Sequence, residues 1–213
     1  MEDRRERIVQ ALHRCIRETG YASASLTAIA VKAGMSPSHI RYYFENKDAI
    51  LEYYLHGLCR RIIDDLQRIP TDDRWIWLDQ FCDYYIRNPR ISRVGLGVLV
   101  EVFGVSVHQP ALHAIKAQFD NDIRALLQGF FEDVGCASGV TPELAAEIAQ
   151  AVEVGVKYNA VFQKGYDPLR ADAIFVAVIR SLAGAEAPAA LARAREQIAL
   201  AGQPKTKRAR AQR

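Results

Sequence analysis

Apolar residues recur every three or four positions along most of the chain, and this spacing predicts helices rather than strands. Ile8, Leu12 and Ile16 form the first such stripe, which Gly20 ends. Proline and glycine turns separate the later stripes. We therefore predict an all-α protein, in which short N-terminal helices precede longer ones at about 73–87, 90–107, 110–134, 142–164 and 169–184.

The stretch from residue 25 to residue 44 predicts two short helices joined by a tight turn. Ser25 can cap a helix over residues 26–33, and Gly34 suits the left-handed residue that ends it. Ser36 and Pro37 then provide a cap and a proline at the first helical position. The residues expected to face inward are Ile29, Ala30, Ala33, Met35, Ile40 and Phe44. This arrangement predicts a helix-turn-helix, whose second helix lies in the major groove of DNA.

Composition adds a modest argument for a nucleic-acid partner. The chain has 213 residues, of which 50% are hydrophobic, so it can form a sizeable core in one or two domains. Its net charge of +3 is unevenly distributed: residues 1–47 carry +3, residues 205–213 carry +5, and the part between them carries −5. Basic ends suit a polyanion such as DNA, although this charge pattern alone is weak evidence.

Several classes of protein are disfavoured by what the sequence lacks. No run of about 18 apolar residues suggests a membrane span, and the charged start of the chain is no secretory signal, so we expect a cytoplasmic protein without a membrane partner. Motifs of hydrolases, metalloproteases, P-loop proteins and dinucleotide-binding enzymes are absent, so we expect no enzyme. His108 and His113 lack a carboxylate at ligand spacing, so neither a metal nor another cofactor is expected.

The four cysteines are expected to be small core residues. Cys15, Cys59, Cys82 and Cys136 lie far apart and in apolar stretches, which disfavours a disulfide framework. A redox-sensing cysteine is the alternative.

The residues around the helix-turn-helix follow a longer pattern that covers about residues 4–60. In order, it consists of Gly20, Tyr21, Ser25, Ile29, Ala30, Ala33, Gly34, Met35, Ser36, Ile40, Tyr43, Phe44, Lys47 and Leu51 (or Ile50). In order and spacing this pattern resembles the TetR family of transcriptional regulators. Ser38 and Arg41 depart from it, since the family usually has glycine and tyrosine there, and both differences can alter the DNA sequence that is read.

The resemblance implies a protein of two domains. A three-helix DNA-binding domain is expected over residues 2–62, and a helical ligand-binding and dimerisation domain over residues 63–201, with a last helical piece at 188–201. Residues 202–213 are basic and lack large apolar side chains, which predicts a disordered tail that either touches DNA or only adds solubility.

Contacts to DNA phosphates are expected from helix N-termini, which present free N–H groups. This argument selects Thr27, Ser36, Pro37 and Ser38. The resemblance implies backbone contacts by Thr27, Tyr43 and Lys47, while packing within the small domain is the alternative for Tyr43. Arg4, Arg5 and Arg7 can reach a phosphate or the minor groove, or they can remain solvated.

Contacts to base edges are expected from the outer face of the second helix, which carries Ser38, His39, Arg41 and Tyr42. Arg41 is the sharpest candidate, because its forked guanidinium can pair with O6 and N7 of guanine. A contact to phosphate or to solvent is the alternative for both Arg41 and His39.

The second domain offers candidates for a ligand pocket. Residues 94–115 resemble the corresponding helices of the betaine-type repressors within the same family, a resemblance carried by His108, Gln109, Pro110 and Leu112. The candidate pocket residues are aromatic apart from one acid, and they are Trp75, Trp77, Phe81, Tyr84, Tyr85, Glu101, Phe103, Phe119, Tyr158 and Phe162. The aromatic residues can equally be core. Glu101 can point outward, pair internally with an arginine or a tyrosine, or face a ligand, which would then be cationic.

The last two long helices are expected to pack against a second subunit. They carry small and β-branched residues that let helices approach closely: Ala149, Val152, Gly155, Val156, Ala160, Ile174, Ala177, Val178 and Ser181. Packing within one chain is the alternative.

Together these patterns predict a sequence-specific DNA-binding regulator. We expect a dimeric repressor that binds a pseudo-palindromic double-stranded operator and is released by a small-molecule effector. An activator or a ligand-independent regulator is the alternative, and a helical binding module that does not read DNA sequence is a more remote one.

Overall fold

The computed structural model describes residues 3–70, 72–87, 93–164 and 167–184, and its regular elements there are helices. They are α1 (Arg4–Thr19), α2 (Leu26–Ala33), α3 (Pro37–Tyr43), α4 (Lys47–Gln67), α5 (Arg74–Tyr85), α6 (Arg93–Ser106), α7 (Pro110–Val134), α8 (Pro142–Phe162) and α9 (Pro168–Leu182). The predicted all-α class is confirmed. The predicted helical piece at 188–201 and the tail at 202–213 lie outside the described residues.

Polar caps define the short N-terminal helices. The side chain of Ser25 accepts the N–H of Ala28 at the start of α2, and Gly34 ends that helix in the left-handed conformation with φ of 64°. Ser36 accepts the N–H of His39 at the start of α3. These caps lie where the sequence predicts them, because each depends only on neighbouring residues.

The apolar residues of α4 are not all buried. Leu58 and Ile62 lie in a row that recurs at every fourth position from Ile50 to Leu66, and both side chains are only half-buried. The buried residues of α4 are Ile50, Leu51, Tyr54, Leu55, Cys59, Ile63 and Leu66. The buried side is thus centred on the row Leu51, Leu55, Cys59 and Ile63, with Ile50, Tyr54 and Leu66 beside it, since neighbouring rows of a helix lie on one face.

The helices group into two compact units. The first contains α1–α4, α6, the first part of α7 and the end of α8. In its core, α1 contacts α2, α4 and α6, while α2 contacts α3. Ile8, Leu12, Ile29, Ile40 and Ile50 are fully buried there. The predicted division of the chain near residue 62 stays a prediction, and α6 groups with the N-terminal helices.

The second unit contains α5, the rest of α7 and α8, and α9. Aromatic rings fill its core. Phe130 of α7 lies 5.3 Å from Trp75 and 6.0 Å from Trp77, measured between ring centroids, and Phe81 lies 6.1 Å from Phe175 of α9. Rings at these separations attract each other beyond the burial of their area, so this cluster connects α5, α7 and α9.

One buried cation is neutralised inside the second unit. The side chain of Arg87 is 6% exposed, and its guanidinium lies 2.8 Å from Asp79, 3.0 Å from Asp83 and 3.8 Å from Asp172. Burial acts to lower the pKa of Arg87, but the three carboxylates outweigh it and raise the pKa overall. Removing Arg87 would leave these carboxylates beside one another without the cation that they share.

The end of α9 is tied to the segment between α7 and α8. The backbone N–H of Ala137 donates to Leu182 over 2.8 Å, and the N–H of Gly184 donates to Gly135 over 2.9 Å. The chains approach so closely that a Cβ on Gly184 would lie 2.6 Å from the carbonyl oxygen of Cys136.

The cysteines are free, and Cys15, Cys59 and Cys82 are buried, while Cys136 is half-buried. Burial is the main cause that raises the thiol pKa of Cys15 and of Cys136, and it raises that of Cys59 to about 12. A raised pKa disfavours the reactive thiolate. Among the described helices, none is both long and apolar enough to cross a membrane.

We predict that protonation of His13 makes the protein less stable as the pH is lowered. The ring nitrogen Nδ1 of His13 lies 3.0 Å from the hydroxyl of Tyr54. Burial, followed by the charges of Arg17 and Arg14, lowers the pKa of His13 below its usual 6.5. As the pH falls below 6.5, the unfolded chain therefore binds this proton before the folded chain does, and stability is lost. Between pH 7.5 and 5.0, the urea-derived free energy of unfolding should fall less in His13→Gln than in the unsubstituted protein. An equal fall in both would contradict the prediction.

Candidate DNA interface

The second helix of the motif, α3, separates an anchored side from an exposed one. Ile40 is fully buried and fixes the helix on the core of the first unit. Ser38, Arg41 and Tyr42 are exposed, and Tyr42 leaves 81% of its surface in contact with water. A large aromatic side chain so exposed beside a free guanidinium is typical of a surface that binds another molecule.

Ser36 and Tyr43, two further candidates at this helix, have partners of their own. The Ser36 hydroxyl caps α3 and lies 3.0 Å from the hydroxyl of Ser38. The half-buried ring of Tyr43 packs 5.1 Å from that of Tyr42 and 5.6 Å from that of His39. Pro37 is half-buried at the first position of α3, and Thr27 is exposed in the first turn of α2. Tyr43 thus packs against neighbouring rings and at the same time remains partly accessible to solvent.

Arginines of α1 support the motif from behind. Arg7 donates to the carbonyl oxygen of Ala33 over 2.8 Å, and Arg14 donates to that of Lys32 over 2.9 Å. These carbonyls end α2 and have no partner within the helix, so the two guanidiniums complete its C-terminus. Sequence reasoning selected Arg7 for another role and missed Arg14, although their spacing of seven places both on one face of α1.

Arg4 and Arg5 contact the motif directly. The guanidinium of Arg5 lies 5.7 Å from the ring centroids of both Phe44 and Tyr53, within range of a cation–π attraction. Nη1 of Arg4 donates to Nε2 of His39 over 3.0 Å. Because an arginine only donates, this bond requires an unprotonated Nε2 on His39. The bond places a second guanidinium at the edge of α3.

Lys47, at the start of α4, is held by the turn that follows α1. Its ammonium donates to the carbonyl oxygens of Tyr21 over 3.2 Å and Ala22 over 3.4 Å, and it lies 4.5 Å from the centroid of the Tyr21 ring. The Tyr21 hydroxyl donates to Asp48. Burial, followed by the hydrogen bond and charge of Asp48, raises the pKa of Tyr21 far above its usual value.

Glu101 closes the same turn from α6, where its carboxylate accepts the backbone N–H of Tyr21. Of the three sequence readings, internal pairing with a tyrosine comes nearest, but the partner is the backbone and not the ring. Gly20 precedes this contact with φ of 79°, and a Cβ there would lie 3.1 Å from the Glu101 oxygen. In the sequence, the only indication of this contact is the pair Gly20 and Tyr21 in the family pattern, which marks the turn but not its partner.

Some candidate pocket residues meet within the second unit, but they form packed core there. Trp77, Phe81 and Tyr85 are buried in the aromatic core of the second unit, and Tyr84 is half-buried. In the first unit the ring of Phe103 lies 4.7 Å from the ammonium of Lys116, while the exposed rings of Tyr158 and Phe162 contact each other at a tilt, with centroids 4.5 Å apart. Phe119 alone among the candidates lines the cleft between α4 and α7.

That cleft has a volume of about 270 Å³ and lies within the first unit. Its lining residues are His56, Cys59, Arg60, Ile63, Asp64, Ile115, Gln118, Phe119 and Asp122. Ligand sites of ordinary size start at roughly 300 Å³, so the cleft suits a small organic molecule. Within the described residues, no three histidine, cysteine or acidic side chains come together as metal ligands.

The candidate dimer residues are divided between surface and core. On α9, Ile174, Ala177 and Ser181 are exposed and Val178 is half-buried. On α8, Gly155 is exposed and Val152 half-buried, whereas Ala149, Val156 and Ala160 are buried within the chain. The structure adds Leu144 and Ile148, two exposed apolar residues of α8 that sequence reasoning missed.

The sequence of this site matches a known family. The family model described as bacterial regulatory proteins, tetR family, matches residues 8–54, which contain most of α1, all of α2 and α3, and the start of α4. Over these residues the chain is similar to the TetR family. This match confirms the resemblance on which the sequence analysis relied.

A TetR-family relative extends the likeness beyond the matched domain. The HTH-type transcriptional regulator BetI of Stenotrophomonas maltophilia (strain R551-3) is 28% identical over 120 residues, which make up 55% of this chain and 61% of the relative. The chain thus spans about three fifths of the curated relative that it matches.

Solved structures show the same TetR-family fold. A TetR transcription regulator from Haloarcula marismortui ATCC 43049 is 24% identical and superimposes with a TM-score of 0.77. The superposition covers 86% of this chain and 100% of that one. The multidrug binding protein EbrR, complexed with ethidium, is 20% identical and superimposes with a TM-score of 0.64. The superposition covers 83% of this chain and 99% of that one. At these identities the likeness concerns the fold.

Proposed function

We propose that this TetR-family protein is a dimeric repressor that binds a double-stranded operator by sequence and is released from it by a small molecule. The observation that carries the proposal is the exposed face of α3, which presents Arg41 and Tyr42 while Ile40 anchors the helix in the core. With this function the protein works in the cytoplasm, where it meets DNA. The family's regulatory role gives no reason to expect catalysis.

Recognition divides between base edges and phosphates. The forked guanidinium of Arg41 suits guanine in the major groove, and the exposed Ser38 and Tyr42 and the half-buried His39 lie beside it on α3. Lys47 and the first turn of α2 with Thr27 supply contacts to the DNA backbone, which fix orientation and carry the salt dependence. Arg4, held by His39, adds positive charge beside α3.

We expect the protein to select a pseudo-palindromic sequence from random double-stranded DNA and to prefer it at least about a thousandfold over unrelated DNA. Arg41→Ala should weaken binding to that operator by about 1–3 kcal/mol and relax the preference at one base pair of each half-site. Fluorescence anisotropy at two salt concentrations measures both effects. Arg17→Ala removes an exposed arginine at the end of α1 and serves as the matched control.

Equal losses in the two variants would mean that Arg41 adds only charge. If the unsubstituted protein shows salt-sensitive binding without any sequence preference, the chain is a helical binding module instead. Transcription from the selected operator in a purified system then distinguishes a repressor from an activator.

Dimerisation is supported by apolar side chains that one chain leaves in solvent. Leu144 and Ile148 of α8 are 45% and 37% exposed, and Ile174 of α9 is 44% exposed beside the small residues Ala177 and Ser181. Such surfaces commonly mark an interface. A two-fold pair would place its recognition helices about 34–36 Å apart, which matches successive major grooves on one side of DNA.

Ala177→Glu should therefore convert the dimer into a monomer, because it places two carboxylates in the apolar interface. Operator affinity should fall when the dimer is lost, since a single helix-turn-helix binds DNA weakly. Sedimentation equilibrium measures the change in mass. Ala114→Glu adds the same charge to an exposed position of α7 and should leave the dimer intact. A dimeric Ala177→Glu variant would place the interface elsewhere.

The cleft between α4 and α7 is our candidate effector site. It has the size for a small organic molecule, and Phe119 offers an apolar ring while Asp64 and Asp122 offer carboxylates. The relative of similar fold, EbrR, is described in complex with ethidium, which shows that a protein with this fold can hold a small molecule. A ligand in the cleft contacts α4, the helix that begins at Lys47, and it shifts the population toward a non-binding state only if it prefers that state.

Gln118→Trp tests this site, because a large ring on an exposed lining residue fills the cleft without disturbing the core. Compounds are first selected by two effects: they raise the melting temperature and they release operator DNA. Gln118→Trp should keep operator affinity within about twofold and lose the response to these compounds. Ala117→Trp, at an exposed position of α7 outside the cleft, should keep the response. Release that persists in Gln118→Trp would show that the effector binds elsewhere.

A further inference from the structure

Side chains from later parts of the chain hold the turn between α1 and α2. Glu101 of α6 accepts the backbone N–H of Tyr21, and Asp48 of α4 accepts its hydroxyl. Gln109, just before α7, donates to the same Asp48 oxygen over 3.4 Å. Tyr21 is 5% exposed. The two bonds to Tyr21 are partly shielded from water, so losing one leaves a polar group of this buried residue without that partner.

Lys47 binds the other side of this turn. An ammonium has three N–H donors, and two of those on Lys47 are directed at the carbonyl oxygens of Tyr21 and Ala22. The third remains for a phosphate. Its direction is determined by the position of Tyr21, since the ring below the ammonium also restricts where the side chain can lie.

We infer that Glu101 is a positioning residue for DNA binding, which acts through Tyr21 to hold the ammonium of Lys47 where a DNA phosphate meets it. This inference rests on the proposed function, because it takes Lys47 as a phosphate contact. Glu101 itself touches no DNA in this arrangement. It connects α6, through the turn between α1 and α2, to Lys47 at the start of α4.

Charge alone predicts the opposite effect, which makes the inference testable. A carboxylate repels the DNA backbone, so a Glu101 that acted only by its charge would strengthen DNA binding when removed. A Glu101 that acts by position would weaken binding when removed. The contact also depends on side-chain length, because the Glu101 carboxylate has to reach the backbone N–H of Tyr21.

The experiment compares Glu101→Ala, Glu101→Asp, Glu101→Gln and Lys47→Ala by anisotropy on the selected operator across a salt series. Glu101→Ala should weaken binding roughly three- to tenfold, the effect of about one hydrogen bond. Its slope of log K against log salt should become shallower by about 0.9, as in Lys47→Ala, because one phosphate contact is lost. Combining Glu101→Ala with Lys47→Ala should weaken binding no further than Lys47→Ala alone.

Two variants separate position from charge and from misfolding. Glu101→Asp keeps the charge but is one methylene too short, so it should behave like Glu101→Ala. Glu101→Gln loses the charge but keeps an accepting oxygen, so its operator affinity should remain within about twofold of that of the unsubstituted protein.

A control variant and a second measurement complete the test. Glu132→Ala removes an exposed carboxylate of α7 and should neither weaken DNA binding nor change its salt slope. Hydrogen exchange of the Tyr21 amide should speed up in the Ala and Asp variants and stay slow in Glu101→Gln.

Unchanged or tighter DNA binding by Glu101→Ala and Glu101→Asp would overturn the inference, as would losses that add fully to that of Lys47→Ala. If the unsubstituted protein shows no sequence preference, the proposed regulator fails, but the same salt slopes on unrelated DNA still test whether Glu101 acts through Lys47. A protein that binds no DNA at any salt concentration would overturn both.

Discussion

A helix of seven residues has no stability of its own in water, because isolated helices need roughly 12–15 residues to become even marginally stable. The recognition helix α3, Pro37–Tyr43, is such a helix. It therefore depends on what surrounds it: the cap of Ser36, the buried Ile40, and the helices α1 and α2 that form the wall behind it. Much of the first unit serves this single requirement, which is to hold a short polar face rigidly enough for DNA to meet it.

The sequence predicts local features of this arrangement well and long-range ones poorly. Caps such as Ser25 and Ser36 and the left-handed Gly34 depend on neighbouring residues, so their positions follow from the pattern. The partner of Glu101 lies 80 residues away on a backbone N–H that no side-chain pattern marks. In the same way, the ring of Phe81 could be assigned to core or pocket only after Phe175 and Trp77 were seen packed against it.

Polar groups within apolar surroundings carry much of the specificity of the fold. Arg87 binds three carboxylates that come from α5 and α9, and Glu101 binds a turn that belongs to the N-terminal helices. Each would be expensive to bury alone, so each permits one arrangement of its neighbours and penalises the others. The aromatic core of the second unit supplies attraction without such selectivity, since apolar rings tolerate more than one way of packing.

The close crossing at Gly184 has an evolutionary consequence. Any side chain at this position would drive its first carbon into the backbone of Cys136, which cannot move aside as the end of a flexible side chain can. Descendants of this protein that keep the crossing are therefore confined to glycine at residue 184, however freely the neighbouring surface diverges. The site would then record the ancestry of the α7–α8 connection more faithfully than the residues that read DNA, which change whenever the operator does.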